Sequence, residues 1–456
     1  MSRYDLLAPL LACPACGGPL DVVGAGAACR GCGLQFPVIG GLAWLFVEPQ
    51  AALADWRGRL RLLEQHLERE AALHRAGLSL AGLHPLTRLR LEAQAGALEA
   101  HSRLVQALLE PLGLTGREER HEVHLALGTR LPLSQGLTNY YANLHRDWAW
   151  GDQENAASLA EVLAVLAPGG APSRLLVLGA GGGRLAYDLH QSLPLEVTLA
   201  LDFNPLLATV GQRVSAGEKL DLFEFPIAPR SLAEHGLRRT LAAPAPSRPG
   251  LEFVLGDALA APFADGTFDA VLTPWFVDIV PDDLPALMAR INRLIAPGGR
   301  WVFFGSLAWA DRPPERCYSL EELLALAPAA GFEAGPPRET PLPYMRSPAS
   351  RHARIEAVVS FAARKVAEVE RPAPPVRPDW LERTDLPVPA LPAFREQSLS
   401  TRVYAFIMAM IDGKRSIRDM ARLMEEQRLM TSADAEPAIQ GFLARMHEDA
   451  QRRANF

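Results

Sequence analysis

Apolar and polar positions follow different periods in different parts of the chain. From Ala51 to Pro111 apolar residues recur every three or four positions, which predicts amphipathic helices. Further along, short apolar runs alternate with helix-like stretches such as Glu154–Leu166. This alternation predicts βαβ units around a mostly parallel, doubly wound sheet. The predicted strands are Arg174–Leu178, Val197–Leu201, Phe253–Leu255, Phe268–Thr273 and Arg300–Gly305, with later strands in Phe332–Glu339 and Arg354–Ala362.

A proline-rich stretch lies between Glu370 and Gln397. Proline fixes φ and removes a hydrogen-bond donor, so this stretch predicts an extended, semi-rigid linker. The residues that follow return to a helical period. Ser416 and Asp419 have the spacing of a capping box and predict the start of a helix. The chain is therefore predicted to end in a small helical domain.

Composition limits the classes of function. The chain has 456 residues, 49% of them hydrophobic and 21% charged, which is typical of folded globular domains. A formal net charge of −6 makes broad binding to nucleic acid unfavourable. No run approaches the roughly 18 apolar residues of a membrane span, and the apolar run Leu6–Ala12 is short for an export signal. We therefore expect a cytoplasmic protein without a membrane segment.

Four of the five cysteines form two matched pairs, Cys13 with Cys16 and Cys29 with Cys32, while Cys317 stands apart. Two thiolates separated by two residues can bind one tetrahedral metal ion from a tight turn, so the pairs predict a structural zinc site. Because the protein fills all four positions, the metal has no open position for chemistry. The alternative is a disulfide or redox pair, which a reducing compartment disfavours.

The stretches Leu6–Pro14 and Cys32–Gly41 resemble a zinc-ribbon family whose members activate tRNA and protein methyltransferases. The resemblance covers about the first 47 residues. It implies a module that docks a partner or presents a substrate, fused here to its partner.

A glycine-rich turn follows the first predicted strand, with Gly179, Gly181 and Gly183 at alternate positions before a helix. Glycines allow the backbone to turn tightly and to approach a ligand. A dinucleotide-binding turn requires a third glycine where this chain has Arg184. The spacing present resembles the S-adenosylmethionine-binding turn of class I methyltransferases.

Further motifs follow in the order of that class, including Asp202 after the second strand and Gly256-Asp257-Ala258 after the third. The resemblance implies that Asp202 binds the ribose hydroxyls and that Asp257 meets the adenine amino group. It also implies a Rossmann-like sheet of seven strands. The cofactor-binding residues implied are Gly179, Ala180, Gly181, Gly183, Arg184, Asp202, Phe203, Asp257 and Ala258.

Arg146-Asp147-Trp148, Phe276-Val277-Asp278 and Tyr318–Leu323 resemble the carnosine N-methyltransferase family. That resemblance runs from about Asn139 to Lys365 and implies methylation of an imidazole nitrogen. It implies that Asp278 is catalytic, either orienting the acceptor or taking its proton. The alternative role of Asp278 is a helix cap. The substrate-binding residues implied are Arg146, Trp148, Asp278, Tyr344 and Arg346.

Residues Ile411–Ile417 resemble the winged-helix, peptide-binding modules of the pyrroloquinoline-quinone biosynthesis chaperone type. An ordinary three-helix bundle is the alternative. The sequence thus predicts an α/β chain with added domains. They are a zinc ribbon at 1–47, a helical region at 48–138, a class I methyltransferase domain at 139–368, a linker at 369–397 and a helical domain at 398–456.

The predicted function is S-adenosylmethionine-dependent methylation of an imidazole-bearing small molecule or peptide. A catalytically inactive scaffold that binds a peptide or protein is one alternative, and a protein or tRNA methyltransferase is another. The zinc ribbon and the C-terminal helices are the predicted contacts for a protein partner.

Overall fold

The computed structural model describes residues 7–23, 26–112, 137–309, 312–370 and 385–453. The chain divides into two compact units, Met1–Pro372 and Ala373–Phe456. Part of the predicted helical region, 113–136, and part of the predicted linker, 371–384, lie outside the described residues.

The first unit is built on one mixed, twelve-stranded sheet. Seven of its strands lie in the order β9-β6-β5-β10-β11-β14-β12, and β14 runs antiparallel to its neighbours β11 and β12. The strands of the first unit are β1 Leu20–Val23, β2 Gly26–Cys29, β3 Gln35–Ile39, β4 Leu42–Leu45, β5 Arg174–Leu178, β6 Val197–Asp202, β7 Leu220–Glu224, β8 Leu237–Leu241, β9 Leu251–Gly256, β10 Phe268–Pro274, β11 Ile295–Gly305, β12 Phe332–Ala334, β13 Arg338–Tyr344 and β14 Arg354–Lys365.

Helices cover both faces of this sheet. In β5, Leu175 and Val177 belong to one hydrophobic core while Leu176 and Leu178 belong to the other. Because side chains alternate between the faces of a strand, both faces are buried, as expected for a doubly wound sheet. The helices of this unit are α1 Pro49–Gly77, α2 Pro85–Leu109, α3 Tyr141–His145, α4 Asp152–Leu166, α5 Arg184–Ser192, α6 Pro205–Ser215, α7 Leu284–Leu294 and α8 Leu320–Leu326.

The cysteine-bearing segment does not form a separate sheet. Its last strand, β4, pairs in parallel with β9, so Ala43 lies opposite Val254 and Leu45 opposite Gly256. Leu45 and Phe36 are fully buried in the same core as Leu201 of β6. The predicted zinc ribbon therefore extends the central sheet at its β9 edge.

The predicted Rossmann-like α/β fold is confirmed, and each predicted strand of the central domain has a counterpart, although the run Phe332–Glu339 is divided between β12 and β13. The sheet has more than the predicted seven strands because the ribbon adds strands at one edge and β13 pairs with β14. An antiparallel hairpin of β7 and β8 was not predicted. Its strands read LDLFE and LRRTL, in which charged residues hide the apolar alternation that marks a strand.

The second unit contains three helices, α9 Pro392–Ala409, α10 Ile417–Glu426 and α11 Ser432–Arg453. The predicted capping box is present, because Ser416 Oγ accepts from the Asp419 amide at 3.2 Å and the Asp419 carboxylate accepts from the Ser416 amide at 3.1 Å. Ile407, Met420, Met424 and Ile439 form the centre of a separate core. In the parts of both units that the structure describes, no helix is long and apolar enough to cross a bilayer.

Candidate active site

A cavity of about 310 Å³ opens where β5, β6, β9 and β10 end at their carboxyl edges. Open α/β sheets bind ligands at this edge. One side of the cavity, the glycine end, is lined by Gly179, Ala180, Gly181, Gly182, Arg184, Asp202, Phe203, Asp257 and Ala258. The other side, the aromatic end, is lined by Tyr140, Arg146, Glu154, Trp275, Phe304 and Tyr344.

The glycine turn between β5 and α5 uses its glycines for different purposes. Gly179, Gly181 and Gly183 have φ values of 66°, 57° and 78°, which side chains rarely adopt. A Cβ at Gly183 would lie 2.4 Å from the Phe253 ring, whereas a Cβ at Gly181 would meet nothing within 4 Å. Gly181 thus borders open cavity space. Gly183, predicted to bind cofactor, does not line the cavity and instead permits close packing of the turn.

Asp202 ends β6 and faces the glycine turn. Its Oδ2 accepts from the Gly181 amide at 2.7 Å and its Oδ1 from the Asn204 amide at 2.8 Å. Burial raises the pKa of Asp202 to about 6, although these amide hydrogen bonds oppose the shift. A carboxylate fixed this way can accept further hydrogen bonds from ligand hydroxyls.

Asp257 follows β9 and lines the same end of the cavity. Its Oδ1 accepts from the Leu259 amide at 2.8 Å, which caps a short 3₁₀ turn at Ala258–Ala260. Behind this loop, the Ala12 amide of the ribbon donates to Pro262 O at 2.9 Å. The ribbon therefore supports the loop that carries Asp257.

Arg184 occupies the position where a dinucleotide-binding turn has glycine. Its Nε donates to the Asp188 carboxylate at 2.9 Å, and its Nη1 donates to Asp147 O at 2.6 Å. Its guanidinium also lies 5.5 Å from the Trp148 ring centroid. Arg184 thus joins the glycine turn to the segment before α4.

Tyr344 is the centre of the aromatic end. Its ring centroid lies 4.7 Å from that of Trp275, and the guanidinium carbons of Arg354 and Arg146 lie 4.4 and 5.8 Å from it. Cations over an aromatic face are attracted to its negative potential. The Tyr344 ring is therefore held between two arginines and an indole.

Glu154 holds the turn after Tyr344, a role that was not predicted from the sequence. Its carboxylate oxygens accept from the amides of Met345 at 3.0 Å and Arg346 at 2.7 Å. Burial raises the pKa of Glu154 above its ordinary value, and the two amides counteract that shift. A signal was present in the helical pattern, because Glu154 is a carboxylate on the buried side of α4.

Three residues around the aromatic end have left-handed backbones without being glycine: Tyr140, Trp275 and Met345, with φ of 62°, 50° and 54°. Such conformations cost on the order of 1–3 kcal/mol each and concentrate at functional sites. Tyr140 and Trp275 line the cavity. The aromatic end is therefore held in a specific, strained arrangement.

Asp278 does not itself line the cavity, although Phe276 and Ile279, on either side of it in the sequence, do. It is 7% exposed, and its Oδ2 accepts from the Ala308 amide at 3.2 Å. Burial raises the pKa of Asp278 to about 6, against the effect of that amide and of Arg312. Asp278 does not cap the following helix, since the N-cap position of α7 is Asp283.

Three residues predicted to bind substrate do not line the cavity: Asp278, Trp148 and Arg346. Trp148 is buried, and its indole N–H donates to Gly182 O at 3.0 Å, so its role is to support the glycine turn. Arg346 is exposed and contributes its amide to Glu154. Of the other predicted substrate contacts, Arg146 and Tyr344 do line the cavity.

The charges that line the cavity are mainly negative. Five carboxylates and two guanidiniums contribute to its surface. Both guanidiniums are paired, Arg146 with Asp147 at 2.7 Å and Arg184 with Asp188 at 2.9 Å. The remaining carboxylates are Glu154, Asp202 and Asp257, which accept only from backbone amides in the described residues. The field in the cavity therefore favours a cationic ligand.

The four cysteines of the ribbon converge. Their sulfurs all lie within 4.8 Å of one another, with Cys13 Sγ 3.7 Å from Cys32 Sγ and Cys16 Sγ 3.4 Å from Cys29 Sγ. A Cβ at Gly18 would lie 3.2 Å from Cys29 Sγ, so a side chain there would press against the sulfur cluster. Four convergent thiols suit one tetrahedral zinc ion and leave no coordination position for a substrate.

The glycine end suits S-adenosylmethionine. The turn at Gly181 offers open space beside a backbone, Asp202 offers carboxylate oxygens at the end of β6, and Asp257 offers the same after β9. The net negative lining matches a cofactor whose sulfonium and ammonium charges outweigh its single carboxylate. Carboxylate oxygens at these positions can accept hydrogen bonds from hydroxyl and amino groups and can attract cationic groups.

Two family models match parts of the chain. Residues 176–303 match a methyltransferase domain, and residues 5–41 match the Trm112p-like proteins. Neither match includes the helices of the second unit.

Curated relatives match the central domain. A demethylmenaquinone methyltransferase of Thermus thermophilus is 30% identical over 29% of this chain and 46% of its own length. A fatty-acid O-methyltransferase of Mycolicibacterium smegmatis is 28% identical over 35% of this chain and 51% of its own length. The chain thus spans about half the length of these relatives.

Among solved structures, a SAM-dependent methyltransferase from Aquifex aeolicus aligns with 45% of this chain and 90% of its own, at 16% identity and a TM-score of 0.30. The methyltransferase match begins in β5 and ends in β11, and it includes the glycine turn, Asp202 and Asp257. The chain therefore carries a class I S-adenosylmethionine-dependent methyltransferase domain joined to an N-terminal, Trm112-like zinc ribbon.

Proposed function

We propose that this chain is an S-adenosylmethionine-dependent N-methyltransferase that acts on an imidazole-bearing small molecule or peptide. The observation that carries the acceptor is Asp278, a buried carboxyl in the segment after β10 whose neighbours Phe276 and Ile279 line the cavity. The sequence resemblance to the carnosine N-methyltransferases, which includes Phe276-Val277-Asp278, agrees with this role.

The chain's own residues would orient the acceptor. With a pKa of about 6, Asp278 is mostly ionised at pH 7 and can accept the N–H of a neutral imidazole. The second ring nitrogen then directs its lone pair away from Asp278, towards the glycine end. Trp275 and Tyr344 offer flat apolar surfaces against which a planar ring can pack.

S-adenosylmethionine supplies a methyl group that its sulfonium has already activated. Positioning and removal of water are therefore the main tasks of the protein. Methylation converts a neutral imidazole into a cation, which the carboxylate-rich lining stabilises. Asp278 can take the remaining N–H proton as the product leaves.

The relatives act, by their names, on a quinone and on a fatty acid, and these acceptors are the main competitors. The charge of the cavity favours a neutral nitrogen acceptor over a fatty-acid carboxylate. An anionic acceptor would be repelled by the excess of carboxylates that line the cavity.

The test is transfer of labelled methyl from S-adenosylmethionine to histidine dipeptides and histamine, with a fatty acid and a naphthoquinone in parallel. Label on an imidazole nitrogen supports the proposal, and label only on the fatty acid or quinone overturns the acceptor. Calorimetry with S-adenosylmethionine tests the cofactor separately. Absence of binding would favour the scaffold alternative, and label in protein or tRNA would favour a macromolecular substrate.

We further propose that the second unit, described by its helices α9 to α11, binds a peptide or protein. This unit has its own hydrophobic core, as an independent binding module would. The apolar side chains of Tyr404, Met408 and Ile411 are about half exposed. Replacement of Tyr404 and Met408 by Ala is expected to reduce transfer to a peptide acceptor and to leave transfer to a free dipeptide unchanged. Equal loss for both acceptors would contradict the proposal.

A further inference from the structure

A second depression in the first unit is lined by positively charged residues, whereas the cavity is lined mainly by negatively charged ones. It has a volume of about 340 Å³ and is open to solvent. Arg90 of α2, Arg230, His235 and Arg351 of the turn between β13 and β14 line it. We name it the arginine depression.

The three arginines that line it differ from most other arginines of the first unit in their ion pairing. Most arginines elsewhere in the first unit form ion pairs, for example Arg75 with Glu99 and Arg293 with Asp265. Within the described residues, none of Arg90, Arg230 and Arg351 forms an ion pair. Three uncompensated cations around one depression repel each other, and this repulsion is relieved when an anion binds.

The guanidiniums are fixed by neutral groups instead. Arg230 Nε donates to Ser350 O at 2.9 Å, and Arg351 Nη2 donates to Arg230 O at 2.6 Å. Arg351 Nη1 also donates to Pro229 O. Each guanidinium has five N–H donors, and these bonds use one or two of them. The remaining donors are held in place without loss of positive charge.

The elements around the depression are also tied to one another. The Arg230 amide donates to Ala349 O at 3.1 Å, and the Arg351 amide donates to Ala228 O at 2.7 Å. On the other side, Arg90 Nη1 donates to Gln94 Oε1 at 2.9 Å, and the Gln94 amide contacts His235 Nδ1 at 3.3 Å. The donor set is therefore organised before any ligand binds, which lowers the entropic cost of binding.

His235 reports the local field. Burial lowers its pKa, and the positive charge of Arg90 lowers the pKa further. At pH 7 the ring is therefore mostly neutral and serves as a hydrogen-bonding group. An anion bound between the arginines would raise this pKa again.

We propose that the arginine depression binds a small ligand through its phosphate group. Guanidiniums match phosphate oxygens in geometry and in charge, and several of them around one depression suit a doubly charged phosphate better than a single carboxylate. A long polyanion fits less well, because the chain has a net charge of −6 and the depression is small.

Calorimetry on the full chain with inorganic pyrophosphate tests the site. We expect binding to the unmodified protein, and a loss of affinity of about tenfold or more in the double variant Arg230→Gln, Arg351→Gln, since charge-assisted hydrogen bonds are removed. Arg88→Gln is the matched control. Arg88 is exposed on the same end of α2, donates to Leu78 O at 3.0 Å and does not line the depression.

Arg90→Gln is a second variant, because Arg230 and Arg351 also hold the backbone together. It removes one charge while the loop contacts stay, and it too should weaken pyrophosphate binding. The pKa of His235, measured by NMR from the pH dependence of its ring resonances, should rise when pyrophosphate is added to the unmodified protein. Absence of binding at about 10 mM pyrophosphate, or equal affinity in all variants, overturns the proposal.

A second binding experiment uses a single-stranded RNA oligonucleotide in place of pyrophosphate. Salt-dependent RNA binding that the double variant loses, without pyrophosphate binding, would overturn the small-ligand proposal in favour of a nucleic acid. Pyrophosphate binding with weak or absent RNA binding supports it. None of these readouts depends on methyl transfer, so failure here leaves the proposed function untouched.

Discussion

The two ends of the cavity are built in different ways. The glycine end consists of strand ends and the turns that directly follow them, and its main contact, Gly181 N–H to Asp202 Oδ2, joins two neighbouring strands. The aromatic end is assembled from three distant segments around Tyr140, Trp275 and Tyr344. The first depends on backbone geometry, and the second depends on side-chain packing.

This difference bears on what each end can do. Backbone amides and strand-end carboxylates form a similar site on any sheet of this topology, so the glycine end suits a shared cofactor. The aromatic end depends on side chains and on three strained backbones, so it can differ between proteins of the same fold. Cofactor binding and acceptor choice should therefore respond to different substitutions.

The largest effect is expected at the glycine end. Gly181→Trp would fill the cavity and force an indole onto a left-handed backbone, so affinity for S-adenosylmethionine should fall by about 100-fold or more, as measured by calorimetry. Gly298→Trp is the control, because Gly298 also has positive φ and open space but lies outside the cavity. Equal losses in both variants would show that backbone strain alone is responsible.

The next effect is expected at Asp278. Asp278→Asn should reduce the rate of methyl transfer by about 10²-fold while S-adenosylmethionine affinity changes little. Because the pKa of Asp278 is about 6, the rate in the unmodified protein should also decline as the pH falls below 6. Asp265→Asn, at an exposed carboxylate paired with Arg293, should leave both quantities unchanged. Unaltered transfer by Asp278→Asn would remove Asp278 from the mechanism.

The same substitution has a consequence for stability. The pKa of Asp278 is higher in the folded state than in the unfolded chain, so its ionised form destabilises the fold above pH 6 and this cost vanishes below about pH 4. Asp278→Asn should therefore raise the free energy of unfolding by about 1–3 kcal/mol at pH 7.5 and by less at pH 4.5. Denaturant melts at the two pH values measure this difference, and a stabilisation that grows towards low pH would contradict it.

A smaller effect separates Tyr344 from Arg346. Tyr344→Ala removes the ring packed between Trp275 and two arginines, so KM for the acceptor should rise by about tenfold. Arg346→Ala should leave KM unchanged, because only its amide is used. Steady-state kinetics with the acceptor varied would distinguish the two. A larger effect from Arg346 would mean that its side chain reaches the acceptor.

The smallest effect on the site is expected from the ribbon. Cys16→Ser should weaken zinc binding, lower the melting temperature and reduce S-adenosylmethionine affinity about threefold, because the ribbon supports the loop of Asp257. KM for the acceptor should not change. Cys317→Ser is the control, since Cys317 is exposed and outside the cluster. A change in acceptor KM without a change in cofactor affinity would contradict this division.

The glycine end could be predicted because its information is local. Alternating apolar runs give the strands, and the residues directly after each strand give Gly179–Gly181, Asp202 and Asp257. The main exception is Gly183. Its spacing matches the cofactor-binding turn, but a glycine is required there because a Cβ would clash with the Phe253 ring. Local spacing does not reveal which glycine meets ligand and which meets a neighbouring side chain.

The aromatic end could be predicted only in part because its contacts are distant in sequence. Glu154 accepts from Met345 and Arg346, about 190 residues away, and no local pattern encodes such a contact. Trp148 is an aromatic residue of the kind that often contacts substrate, yet its indole N–H donates to the carbonyl of Gly182. Pairing of β4 with β9 was likewise unpredictable, since LAWL is a short apolar run that fits many buried positions.

The β4–β9 pairing has a consequence for assembly. A separate ribbon would have to find its partner by diffusion, whereas a covalently joined one has an effective concentration on the order of millimolar. Pairing at the β9 edge then does not depend on the cellular concentrations of a separate ribbon and a separate methyltransferase domain. The β9 edge, which would otherwise offer unpaired backbone groups to other chains, is covered from the moment the unit folds.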